Sequence, residues 1–214
     1  VKDELFANSS DILNAQRKKA FQNFVLQGIP TRKNENYKYT NLNLAFTPDF
    51  KFIHTREEKK ADMGEVFRCD VPQLNTNLAL VFNGWFYKNE TEKGDLPEGV
   101  ILDSLDSISK ERPELLEKYA SLANVEEDPM VALNTAFAKD GFFLYVPKNV
   151  VVESPIQIIN LLQDEKDTFS TQRNFILVED GGLDDSWEVI TSLAAINPKL
   201  TGIKLSRNFG QHYA

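Results

Sequence analysis

The sequence predicts an α+β fold in which a helical and mixed first part gives way to short β-strands. Three observations carry that reading. Helical spacing closed by glycine stops occupies two stretches, ending at Gly28 and Gly141. An Asn83–Gly84 pair sits between apolar and aromatic flanks. From Phe142 onward, Val-, Ile- and Phe-rich runs are separated by tight turns instead of helices. The expected division is a mixed region over 1–138 with a β-hairpin near 79–87, a β-rich part over 139–182, and an atypical tail over 183–214.

The first helix follows Ser9, Ser10 and Asp11, all good N-cap types. Leu13, Ala20, Phe21 and Phe24 recur at roughly helical spacing, with Arg17, Lys18, Lys19 and Gln22 between them. Gly28 and then Pro30 stop it, because glycine accepts a left-handed cap and proline cannot donate to a continuing helix. Pro30–Leu42 is polar but holds Tyr37 and Tyr39, so it reads as an ordered connector. Both tyrosines are expected to be at least half buried, with Arg32 or Glu35 bonding locally. The run TREEKKAD at 55–62 reads as a solvated loop. Asn83–Gly84 suits a type I′ turn, which needs positive φ at both central residues. An extended piece is expected at Val100–Leu102. A helix opening at Pro113 carries Leu115, Leu116, Tyr119 and Leu122 on one side. A second, capped by Asp128 and opened by Pro129, has a stripe of Met130, Leu133 and Phe137. The later β runs break at Pro147–Asn149 and Ser154–Pro155, a pattern that fits a β-helix, a sandwich or a barrel. Trp187–Ile196 could be a strand and helix or one helix.

The chain has 214 residues, 42% of them hydrophobic and 26% charged, within the range of globular proteins. Acidic side chains number 32 and basic ones 24, giving a formal charge of −8. That balance argues against a general binder of nucleic acid or anionic membrane. No run approaches the roughly 20 apolar residues of a membrane span, and VKDELFANSS lacks signal-peptide character. The single cysteine, Cys69, fits a reducing compartment, so a cytoplasmic location is expected.

Catalytic patterns are absent. There is no P-loop and no G-x-G-x-x-G after a strand, and Gly181–Gly182 reads as a turn. His54 and His212 lie far from each other in sequence and from Cys69, without metal-ligand spacing. The acidic pairs Glu57/Glu58, Glu126/Glu127 and Asp184/Asp185 have solvated settings that would not split their pKa values. A serine triad lacks G-x-S-x-G. The aromatic residues fit core packing better than base stacking on so acidic a chain. No catalytic, cofactor-binding or metal residue is expected.

Gly28–Leu42, GIPTRKNENYKYTNL, resembles the G-x-P-T-R-[KR]-x-E-x-[WY]-K-Y-T-x-L signature of the SufD family. Pro30, Thr31, Arg32, Glu35, Tyr37, Lys38, Tyr39 and Thr40 stand on its fixed positions. LVFNGWFYKN, with Asn83 and Gly84, and LPEGVILDSL are similar to the family's next segment. Leu133–Ile158 is similar to a pattern shared by SufB and SufD, with Asn134, Phe137, Gly141, Pro147, Glu153 and Pro155 on its positions. Arg173–Glu179 resembles the strand that follows. The resemblance covers roughly residues 10–180 and fades after Gly182. It implies that the β-rich part is the opening of a right-handed parallel β-helix, truncated relative to the longer family members. It implies a non-catalytic scaffold subunit of SUF iron–sulfur cluster assembly, with SufB-like and SufC-like proteins as partners. The cluster would belong to the complex, and this chain would bind no cofactor. The family's cluster-relevant Cys and His lie in its C-terminal half, so none is carried over. A homo-oligomer is a further expectation, since an uncapped coil would be covered by the tail or by a second chain. The competing readings are an interaction domain without an iron–sulfur role and a polysaccharide-related β-helix.

Overall fold

Helix α1 (Asp11–Gln27) starts and stops where its local chemistry directs. Its N-cap Ser10 accepts a hydrogen bond from the Leu13 N–H at 3.3 Å. Gly28 turns the chain out at φ 68° and donates its N–H to Phe24 O. The computed structural model describes residues 5–56, 77–88, 96–117, 119–163, 167–178 and 191–192. Cys69, His212, most of the 55–62 run, Gly181–Gly182 and the 183–214 tail apart from 191–192 lie outside the described residues.

The connector holds a 3₁₀ turn (Glu35–Tyr37), a one-turn helix α2 (Leu42–Ala45) and a short strand β1 (Lys51–Phe52). Strands β2 (Asn77–Phe82) and β3 (Trp85–Lys88) form the expected hairpin. Asn83 and Gly84 take φ values of 50° and 84°, the two positive values that a type I′ turn requires. Strand β4 (Ile101–Ser104) follows close to the expected place.

The helices after it differ from the sequence reading. Helix α3 (Leu105–Glu111) was not expected; Ser104 caps it, and an i,i+4 Asp106–Lys110 pair at 2.7 Å braces it. The helix expected from Pro113 is a single turn, α4 (Glu114–Glu117). Leu116 is fully buried and anchors it, but tight turns through Tyr119 and Ala120 leave Leu122 exposed. Helix α5 (Pro129–Phe137) starts as expected, with the Asp128 carboxylate accepting from Met130 N–H at 2.8 Å and Val131 N–H at 3.2 Å. Its buried residues are Pro129, Ala132, Leu133, Thr135 and Ala136; of the expected Met130–Leu133–Phe137 stripe Leu133 is among them, while Met130 and Phe137 are only partly buried. Small side chains win that face because Ala132 and Ala136 meet Ala20 of α1, letting the two helices pack closely.

Strands β5 (Phe142–Val146), β6 (Ile156–Leu161), β7 (Thr168–Phe169) and β8 (Phe175–Val178) complete the described chain. They join three small open sheets of order β1-β7, β3-β2-β6 and β4-β5-β8. Each of β6, β7 and β8 pairs in parallel with a strand far earlier in sequence. The chain thus visits three sheets in turn, and β8 returns beside β5, with Phe143 opposite Phe175. Strand β2 lies between β3 and β6, and all six of its residues are buried. That explains its continuous apolar run, since neither face meets water. The α+β class holds, and strand pairings cross residue 138 repeatedly.

Candidate functional site

The loop from Ala138 to Gly141 joins α5 to β5 and carries Lys139 and Asp140, two of the four buried charged side chains among the described residues. The Asp140 side chain is 1% exposed. Its carboxylate accepts from Phe86 N–H at 2.9 Å, from the Ser104 hydroxyl at 2.8 Å and from Asp106 N–H at 3.0 Å. One side chain therefore fixes the start of β3, the end of β4 and the cap of α3. Burial pushes its pKa up, opposed by the donated hydrogen bonds.

Arg17, 2% exposed, enters from α1. Its Nε donates to Ala138 O at 3.0 Å and a terminal nitrogen to Lys139 O at 3.2 Å. Burial lowers its pKa to about 10, with Asp106 and Asp140 pulling the other way. Lys139 reaches back to Leu5 O and Ala7 O at 3.1 and 2.9 Å. Its pKa is lowered by burial first and by Arg17 second. Arg173 donates to Ala120 O at 3.1 Å, lies over the Phe175 ring, and also falls to about 10 through burial. The Arg173 N–H bonds to Asp140 O. Gly141 permits this crowding. Its φ is 154°, and an added Cβ would lie 1.9 Å from Arg173 O.

Beside this hub runs a cleft of about 600 Å³ between α5, the connector and β8. Tyr37 crosses it to bond both Asp128 oxygens, at 2.7 and 2.9 Å. Burial first, and Asp128 second, push the Tyr37 hydroxyl up to about 12. Asn134 donates to Gln172 O at 2.9 Å, and Asn174 accepts from Phe142 N–H at 3.2 Å. These polar groups are engaged with protein partners, and the exposed apolar side chains of Leu122 and Ile176 line the cleft with them. Among the described residues, no group of three or more His, Cys, Asp or Glu could hold a metal ion, and no helix is long and apolar enough to cross a membrane.

The residues singled out by motif take varied places. Pro30 is buried. Thr31 forms a turn with Asn34, and Lys38 pairs with Glu35, the local bonding expected there. Thr40 N–H donates to Tyr37 O. Arg32 and Glu153 are exposed. Tyr37 is partly buried, but Tyr39 is 90% exposed, against expectation. It lies inside the turn closed by the Thr40–Tyr37 bond, two residues on from Tyr37. Asn83 is buried and exchanges two 2.9 Å side-chain bonds with the Gln163 backbone. Gly84 lies so close to the 170–171 segment that an added Cβ would fall 2.6 Å from Thr171 O. Phe137 packs edge-on against Phe52 at 5.0 Å. Pro147 lies beside Gly99, and Pro155 O accepts from Asn77 N–H. Tyr37 and Asn134 share the cleft, and Gly141 abuts Arg173; the other motif residues are dispersed.

Motif and spacing do not single out Arg17, Asp140 or Arg173 as site residues, and they mark Asp128 only as a helix cap. A signal exists for Arg17, which falls at helical spacing between Leu13 and Ala20.

A loop stitched to several separate elements, beside a cleft whose polar side chains are engaged in holding those elements, defines a structural platform. A family model described as SufBD protein N-terminal region matches residues 1–158, and the chain belongs to that family. The relatives include the Bacillus subtilis (strain 168) iron-sulfur cluster assembly protein SufD, 34% identical over 104 residues, or 48% of this chain and 23% of that protein. A Staphylococcus aureus (strain USA300) iron-sulfur cluster assembly SufBD family protein is 33% identical over 85 residues, 39% of this chain and 18% of its own. The matched stretches thus span about a quarter or less of these relatives' lengths.

Proposed function

We propose that this chain is the N-terminal portion of a SufD-like, non-catalytic scaffold subunit for iron–sulfur cluster assembly. It works in the cytoplasm with a SufB-like subunit and a SufC-like ATPase. The circuit from β5 to β8 is the opening coil of a right-handed parallel β-helix, which gives partners a rigid stacking surface. The cluster is cargo of the whole complex. The observation that carries the reading is the engagement of Tyr37, Asn134 and Gly141 in building a frame: each is used to hold segments together. Family membership supplies the process. Co-expression with the SufB-like and SufC-like subunits, followed by affinity purification, tests it. A ternary complex is expected, with no stoichiometric iron and no micromolar ATP binding on the isolated chain. Failure to co-purify would overturn the reading. So would a cluster that the isolated chain retains and Cys69→Ser loses.

A further inference from the structure

Arg173 is a buried cation without a counter-charge among the described residues. It is 9% exposed. One terminal nitrogen donates to Ala120 O at 3.1 Å, and the guanidinium stands 5.1 Å from the centroid of the Phe175 ring. Its other two nitrogens have no partner among the described residues, yet neither is sealed from solvent. Buried arginines are ordinarily paired with an acid. Arg17 obeys that rule, with Asp106 and Asp140 pulling on it. The charge that acts on Arg173 is Arg17, which repels it.

Arg173 also lines the cleft of about 600 Å³, where the other charged lining residue is Asp128. The Asp128 carboxylate is already taken up by the Tyr37 hydroxyl and by the N–H groups of Met130 and Val131. Asp128 is not among the charges that act on Arg173. Leu122 and Ile176 line the same cleft and are 59% and 64% exposed. A volume of about 600 Å³ lies within the ~300–1,000 Å³ of small-molecule sites.

We propose that this cleft binds a small monocarboxylate with an apolar body. The unpartnered guanidinium N–H groups of Arg173 take the carboxylate, whose two oxygens match their fork. The apolar body covers Leu122 and Ile176. One cation suits one negative charge; a phosphate dianion would leave surplus charge in a cleft that also holds Asp128. The inference stands apart from the scaffold reading.

The test titrates octanoate, and octanamide as its neutral counterpart of the same shape, into the full chain by calorimetry at neutral pH. Octanoate should bind at least about tenfold more tightly than octanamide. Arg173→Lys should weaken octanoate binding about tenfold, because an ammonium lacks the planar fork. Ile176→Glu, at an exposed position, puts an acid on the lining and should abolish binding. Circular dichroism melts verify that the variants fold, and if Arg173→Lys does not, Ile176→Glu decides alone. Equal binding of octanoate and octanamide would overturn the carboxylate recognition. Wild-type affinity in Ile176→Glu would overturn the site, as would no octanoate binding up to about 10 mM, above the range of even weak specific sites. Tighter binding of N-acetyl-Leu-Glu-Leu amide than of octanoate, lost in Ile176→Glu, would overturn the free ligand in favour of a protein's acidic side chain.

Discussion

Replacing Asp140 should be among the costliest single changes in the molecule. Its carboxylate serves the N–H groups of Phe86 and Asp106 and the Ser104 hydroxyl, all within 3.0 Å. Asp140→Ala strands three donors, each costing about 1–3 kcal/mol when buried without a partner. Relief of the carboxylate's own desolvation offsets part of this, leaving a net loss of about 3–5 kcal/mol. Set against a typical total of about 5–15 kcal/mol, that loss removes a large part of the stability. Asp140→Asn keeps one oxygen for Ser104 and Asp106 but points an amide at the Phe86 N–H, for about 2–3 kcal/mol. Urea unfolding with linear extrapolation measures both. The folded pKa is raised from 3.8, so the Asp140 contribution is fully present below 3.8 and declines as pH rises through the folded value. The Asp140→Asn deficit should therefore be larger near pH 4 than near pH 7. Two variants within about 0.5 kcal/mol of wild type would refute the hub, because surface changes alone stay in that range.

Tyr37→Phe should cost about 1 kcal/mol, the scale of one partly exposed hydrogen bond to a charged group. Because the folded Tyr37 pKa is raised to about 12, its contribution persists below pH 10 and is lost as pH climbs from about 10 through about 12. Tyrosinate absorbance should show a late-titrating group that Tyr37→Phe removes. Gly141→Ala should cost about 3 kcal/mol or more, from backbone strain and contact with Arg173 O; a thermal melt within about 2 °C of wild type would contradict it. Asn83→Ala should cost about 2 kcal/mol by freeing the Gln163 backbone, and hydrogen exchange should rise first around residues 161–163.

What could be read from the chain was what its near neighbours decide. Ser10, Gly28, Asp128 and Asn83–Gly84 each act over four residues or fewer, and all fell where the capping and turn rules put them. The α3 helix escaped because seven residues give too little periodicity to stand out. The β2–β6 and β5–β8 pairings escaped because parallel partners share no turn that would announce them. Asp140 looks like any surface charge in sequence, and Arg173 is marked there only as the first residue of a family-like strand; the crossing of distant segments buries both. Tyr39 shows the converse: an aromatic residue in a polar stretch was expected to seek cover, and it stands in solvent.

The placing of β2 between β3 and β6 has a cost during synthesis. The hairpin is complete by Lys88, yet the strand that covers its far edge starts at Ile156. At roughly 5–20 residues per second, about 70 further residues take about 4–14 s to emerge from a ribosome. Throughout that interval an apolar strand with an open hydrogen-bonding edge waits on the nascent chain. Its neighbours on a polysome carry the same strand at the same stage. Slowing elongation between Lys88 and Ile156 should lengthen that exposure, lower the yield of folded product and raise its dependence on nascent-chain chaperones.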